Sequence, residues 1–429
     1  MKVQVAIIVI VIIAAALALM VFSGALPGSG LFGSRPKVPV VLWGIFPEEA
    51  LSETITRISR VDEQLGLSYV EKSPETLETD FLNALAKGQG PDLVILPPEL
   101  VFKQRDKFLN LAPVFITERT FRDTFVDGTE ILLGVNEIRA VPFLVDPLML
   151  YWNRDLSRNE SFSQPPKTWD ELLTQAAKLT KIDQAGNIST SGVALGLETN
   201  VLYFKEILSM LILQAGNPIV ETPVFKPVLA RASLSSKTPA ENALRFYTEF
   251  ARPSKASYTW SAAQPNSSET FLRGNLAFYF AFASELPELR AKNPHLNFDL
   301  TSPPQIRGGN LAVTYGRIHS FGIPAASLHP EAAFRAIQHL LESDSLLAIA
   351  PKLSLAPAKR ALLSESQQNP FAEVVFREAV RIKSWPEIDA KKTSEIFAGM
   401  IRSIYSGAKS TNNAVRDAEQ QLQATYPQE

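Results

Sequence analysis

From Val3 to Phe22 the only polar side chain is Gln4. About twenty residues at helical rise span roughly 30 Å, the thickness of a bilayer's hydrocarbon core. The run is longer than the usual core of a cleaved secretion signal, although Ser23-Gly24-Ala25 offers small residues for cleavage. Residues 1–22 are therefore expected to form a signal anchor, with a cleaved leader as the alternative. Residues 23–37 are rich in Gly, Ser and Pro without helical period and read as a flexible tether. As a coil it would reach on the order of 20 Å.

Beyond the tether the apolar pattern alternates between short runs and helical spacing. Pro39–Trp43 predicts a buried strand, and Leu51, Ile55, Ile58 and Val61 predict a helix. Leu67–Val70 predicts a second strand. Leu77, Phe81 and Leu85 predict a helix capped by Gly88, and Asp92–Leu96 a third strand stopped by Pro97 and Pro98. That alternation implies a parallel, doubly wound sheet with right-handed crossovers. Val141–Asp155 reads as an apolar strand broken by Pro142 and Pro147. A helix then opens at Thr168, with Glu171 placed to reach back to the cap amide. Further helices are expected at Tyr203–Ala215, Pro239–Phe250, from His329-Pro330, near Thr393–Tyr405 and near Asn413–Gln423. Glu269–Phe282 passes from helix into strand, and Asn297–Leu300 and Ile318–Ile323 read as strands.

The chain has 429 residues, ample for two large cores. Its net charge of −2 and scattered basic residues give no footprint for nucleic acid. With no cysteine there is no disulfide, thiolate zinc site or cysteine nucleophile. The histidines, at 295, 319, 329 and 339, form no H-E-x-x-H, and neither a Walker A loop, G-x-G-x-x-G nor G-x-S-x-G is present. Gly88-Gln89-Gly90-Pro91 precedes a strand and is a turn. Glu48-Glu49 could be drawn as a glycosidase pair, but sequence cannot set the separation. These patterns predict a protein that is not an enzyme and carries neither cofactor nor metal.

Several motifs occur together in order: FLNALAKGQGPDLVI, VPFLVDPLMLYWNRDL followed by PPKTWDELL, FLRGNLAFYF, and FGIPAASLHPEAAFRAIQHLLESD. In that order the chain resembles the extracellular solute-binding proteins (family 1) of sugar-type ABC importers. The resemblance implies an α/β, periplasmic-binding-protein-like fold of type II, in which each of two lobes is a doubly wound sheet with flanking helices. It implies one lobe of residues 38–141 plus 322–356 and another of 142–321 plus 357–429, with crossings near Val141–Asp146, Arg317–Gly322 and Ala356–Lys359 acting as hinges. It also implies a monomer that binds a saccharide or similar small polar solute between the lobes. The solute would be handed to the permease subunits of an ABC importer outside the cytoplasm. The alternative is a membrane-anchored sensor or scaffold that presents its ligand-loaded state to a receptor or cell-wall partner.

A sugar site needs aromatic faces beside charged or amide groups. Trp43 and Phe46 end the first strand, where the resemblance places ligand contacts, and Glu99 follows the third. Asp146 lies within the crossing strand and Tyr151 after it. Trp260 sits in a Ser-rich segment, Tyr279 on an aromatic strand, and Tyr315 and Arg317 before another crossing. Trp152 and Trp169 read as structural. Where the family often carries an aromatic plate after the FYFAF-type strand, this chain has Ala283-Ser284-Glu285-Leu286. Glu285 can accept sugar hydroxyls there, but it supplies no stacking face.

Overall fold

The computed structural model describes residues 37–231, 238–309 and 311–426. The expected anchor and all but the last residue of the tether lie outside them. Among the described residues no helix is long and apolar enough to cross a membrane.

The strands are β1 (Val38–Gly44), β2 (Leu65–Glu71), β3 (Leu93–Leu96), β4 (Leu133–Gly134), β5 (Glu137–Ile138), β6 (Val141–Asn153), β7 (Lys181–Ile182), β8 (Ile188–Val193), β9 (Val220–Glu221), β10 (Lys226–Pro227), β11 (Leu276–Phe282), β12 (Phe298–Thr301), β13 (Thr314–Gly322), β14 (Ala356–Pro357) and β15 (Ile382–Lys383). Helices Glu48–Val61 and Leu77–Ala86 connect β1 to β2 and β2 to β3. Gly88 closes the second with a positive φ of 66°, which a residue without Cβ adopts cheaply. The parallel alternation expected from the apolar runs holds for β1, β2 and β3.

It does not hold across the molecule, whose fold is two-lobed with a mixed sheet. Eleven strands share one hydrogen-bonded network, ordered β2-β1-β3-β13-β6-β11-β8-β7, with β12 and β14 also on β6 and β15 on β13. β13 runs antiparallel to both β3 and β6, and β11 antiparallel to β6. One strand therefore serves both halves. β6 pairs with β13 through Val141–Pro147 and with β11 through Leu148–Trp152.

The two prolines do not break β6, which is continuous and buried along its whole length. Proline in an interior strand lacks a ladder donor, so it survives at irregularities. Pro142 pairs with Ser320 at the shift in register between His319 and Ser320. Pro147 stands where the neighbour on one side changes from β14, at Leu144 and Val145, to β11, at Leu148. The helix at Trp169–Leu179 starts as expected, with the Thr168 hydroxyl accepting from Glu171 N. Glu171, however, accepts from Lys167 N at 2.8 Å instead of from the cap amide.

Behind the sheet, Trp169 stacks on Phe280 at 5.7 Å and donates its indole N–H to Gln214 Oε1 at 2.6 Å. Gln214 in turn donates to the carbonyls of Pro304 and Val313. The buried amide is thus satisfied on both sides, as burial of a polar group requires.

Candidate functional site

The site is built on the paired strands β6 and β13, where Arg317 stands directly opposite Asp146. Because strand side chains alternate, Tyr315 shares a face with Arg317. The Arg317 guanidinium lies over the Phe282 ring, 3.7 Å from its centroid, and 5.5 Å from that of Tyr203. Asp146, only 1% exposed, accepts from Ser284 N at 3.1 Å and from Ser284 Oγ at 2.7 Å. Burial pushes its carboxyl up to about 6, against the pull of Arg317 and Ser284. Glu285 is held by the Tyr203 hydroxyl, which donates to Oε1 at 2.6 Å.

A cleft opens in front of Arg317. It is lined by Glu99 and Phe102 from the helix after β3, Glu206 from the helix Phe204–Gln214, Tyr315 and Arg317 from β13, and Trp385 and Glu387 from the segment after β15. As it stands the cleft leaves only about 20 Å³ open to a water-sized molecule. Pro97 and Pro98 end β3 and start that short helix, which places Glu99 in its first turn. Lys205 Nζ sits 2.5 Å from Glu387 Oε1 and 3.6 Å from Glu206 Oε1, with the Lys205 and Glu387 side chains each 8% exposed. Burial lowers the Lys205 ammonium, but Glu206 and Glu387 outweigh it and the net shift is upward. For Arg317 burial likewise acts downward and is overcome by Glu206 and Asp146. Burial raises Glu387, and the nearby carboxylates of Glu206 and Glu99 add to it against Lys205.

Two charged groups in this cleft lack a direct partner. Among the described residues, neither the Arg317 guanidinium nor the Glu99 carboxylate makes a hydrogen bond or an ion pair. Buried or half-buried charges are normally paired, so this is a place prepared for something else.

Of the residues expected from sequence, Glu99, Tyr315 and Arg317 come together in the cleft, with Asp146 opposite Arg317 on β6 and Glu285 reaching this region through Tyr203. The structure places the other aromatics elsewhere. Tyr151 is fully buried and donates to Phe282 O at 2.9 Å, and Tyr279 packs against it at 6.2 Å. Trp260 is wholly buried, its indole N–H donating to Asn200 Oδ1 at 2.8 Å. These three are core residues: each is buried, and the polar atoms of Tyr151 and Trp260 are satisfied within the protein. Phe46 is buried edge-on against His319 at 5.0 Å. Trp43 is half-buried under Lys72, whose Nζ lies 3.9 Å from the ring centroid, and it does not line the cleft. Sequence reasoning missed Lys205, Glu206, Trp385 and Glu387. The available signal was Lys205-Glu206 interrupting the otherwise apolar YFKEILSMLILQA.

The profile of the bacterial extracellular solute-binding protein family matches residues 64–372. This chain belongs to that family. Its members bind solutes and are not enzymes, and membership places the globular part of this solute-binding protein outside the cytoplasm. Solved structures share the fold at low identity. The cyclic alpha-maltosyl-1,6-maltose binding protein of Arthrobacter globiformis is 16% identical with a TM-score of 0.76, covering 91% of this chain and 99% of that one. An ABC substrate-binding protein of Listeria monocytogenes in complex with cycloalternan is 15% identical at 0.68, with the same coverages. An ABC transporter solute-binding protein of Thermotoga lettingae bound with alpha-D-tagatose is 17% identical at 0.65, covering 90% and 99%.

Proposed function

We propose that this solute-binding protein takes a saccharide, or a similar small polar solute, into the cleft before Arg317 and delivers it to the permease of an ABC importer. The observation that carries this reading is the pair of unpartnered charges, Arg317 and Glu99, facing a cleft that also holds Trp385 and Tyr315. A sugar hydroxyl both accepts and donates, so one ligand can satisfy a guanidinium and a carboxylate together. The solved structures similar in fold are described with saccharides, which agrees with this choice.

The lobes in this reading are residues 38–141 plus 322–356 and residues 142–321 plus 357–429, with β6, β13 and β14 carrying the hinges. Closure is selected only if the ligand touches both bodies. Glu99 belongs to the first, and Glu206, Tyr315, Arg317, Trp385 and Glu387 to the second. In this reading residues 1–22 hold the protein in the membrane as a single-pass anchor.

The chain has no cysteine, so two introduced ones label uniquely. The full chain in detergent, carrying Val114→Cys and Tyr405→Cys with spin labels, is to be titrated with mono- to tetrasaccharides while Trp fluorescence is recorded. A shortened inter-label distance together with a saturable fluorescence change is expected for at least one sugar. If neither changes for any sugar in the set, the proposal fails.

A further inference from the structure

The charges around the cleft do not balance, and the imbalance has a sign. The two buried cations, Lys205 and Arg317, are outnumbered by the carboxylates around them. Lys205 is paired with Glu387 at 2.5 Å. Arg317 stands opposite Asp146 across the β6–β13 ladder and rests on the electron-rich faces of Phe282 and Tyr203. With one carboxylate counted against each cation, Glu99 and Glu206 remain on the cleft wall, and Glu285 adjoins through Tyr203. Glu206 has only a share of Lys205, at 3.6 Å, and its side chain is 13% exposed. Glu99 has no partner at all among the described residues. No further Lys or Arg lines the cleft. A wall of this kind, partly withdrawn from water, attracts positive charge and repels negative charge more strongly than an exposed surface does.

The geometry points to a saccharide that carries an amine, an amino sugar or a short chain of them, as the ligand of this cleft. The inference rests on the proposed function and specifies its substrate class. Such a ligand answers both unpartnered groups together. Its hydroxyl oxygens accept from the Arg317 guanidinium, and its ammonium donates to Glu99 and Glu206 in charge-assisted hydrogen bonds. Trp385 and Tyr315 stand on the cleft wall but are only 3% and 5% exposed, so the charged groups carry the recognition. Uronic acids and sugar phosphates would place their negative charge against the two free carboxylates and are disfavoured.

The test is calorimetric titration of the full chain at neutral pH with three sets of sugars. These are glucosamine and its β-1,4-linked disaccharide, the N-acetylated forms of both, and glucose, cellobiose and glucuronic acid. The amine-bearing sugar is expected to bind at least about tenfold tighter than its N-acetylated and hydroxyl counterparts, with the preference shrinking as salt is added. Glu99→Gln is expected to cut that preference several-fold. Circular dichroism and thermal melting check that the variant is folded, and Glu206→Gln repeats the test if it is not. If acetylated, neutral or acidic sugars bind as tightly as the amines, or the glutamine variants keep the full preference, the charge inference is overturned while the saccharide cleft stands. If no sugar of the three sets binds, the proposed function falls and this inference falls with it.

Discussion

Replacing Asp146 by Asn should change the pH dependence of stability by a predictable amount. Asp146 is 1% exposed, and burial raises its carboxyl to about 6, with Arg317 and the two Ser284 hydrogen bonds opposing and Glu285 adding. An aspartate in the unfolded chain titrates at about 3.9. The gap of about two units corresponds to about 3 kcal/mol. Its sign follows from proton counting. Between about pH 4 and pH 6 the folded state holds the proton that the unfolded state has released, so stability falls as pH rises. The contribution is fully present below the unfolded value and is lost once pH passes the folded value. Asp146→Asn keeps an oxygen to accept from Ser284 N but never titrates. Urea unfolding of the wild-type and variant full chains at pH 4, 5, 6 and 7 gives two curves whose difference isolates this group. Other shifted groups, Glu387 among them, appear in both curves. Relative to wild type, the variant should gain about 2 kcal/mol of stability between pH 4 and pH 7, because part of the full difference lies below pH 4. Curves parallel within about 0.5 kcal/mol would refute the reasoning.

Three further perturbations probe other parts of the frame. The buried His319 imidazole is pushed down to about 3 by burial and by Arg317. An unfolded histidine protonates first, so stability present above about pH 6.5 should fall by about 3 kcal/mol on acidification to pH 4, and His319→Leu should remove that loss in urea unfolding. An acid loss of the same size in the variant would contradict the assignment. Phe225, on the β9–β10 turn, reaches Phe102 at 6.2 Å and lies under Arg105 at 5.3 Å. Phe225→Ala should weaken this contact by about 1 kcal/mol and, under the proposed hinge motion, raise the open population roughly fivefold; an unchanged spin-label distance distribution would exclude that. A Cβ at Gly192 would overlap the Ala176 carbonyl oxygen. Gly192→Ala should therefore cost about 2 kcal/mol or more in urea unfolding, and an unshifted midpoint would show that the helix and strand have room to separate.

Much of the scaffold was readable from the chain because it is made by local signals. Alternating runs and caps located β1 to β3 with their helices, the Thr168 cap, and the long apolar helix that ends at Gly216. The course of β6 was not. Pro142 and Pro147 weaken a strand when read locally, and only the bulge in β13 and the handover from β14 to β11 show how they are tolerated. The single mixed sheet was equally hidden. Its join depends on β13, about 160 residues after β6, pairing between β3 and β6, and no local pattern encodes which distant strand lies alongside.

The site shows the same division more sharply. Looking for aromatics is sound for a sugar site, but aromatic content does not distinguish a ring that faces a ligand from one that fills a core. Tyr151 and Trp260 look available in the sequence, yet the hydroxyl of the first and the indole N–H of the second are satisfied within the protein. What marks the cleft here is a charged group left without a hydrogen bond or ion pair; an unpartnered polar atom of the core such as the Tyr279 hydroxyl is neutral. Arg317 and Glu99 are such charged groups, Asp146 and Lys205 are not, and the difference becomes visible only when every neighbour within hydrogen-bond reach is known. Arg317 could be suspected from its place before a crossing. Glu206 and Glu387 could not be linked to it, because they come from a helix and a loop 181 residues apart that meet only after folding. Those carboxylates, more than any ring, set the sign of the charge the cleft will accept. A ligand guess drawn from aromatic residues alone therefore says nothing of the charge the cleft accepts.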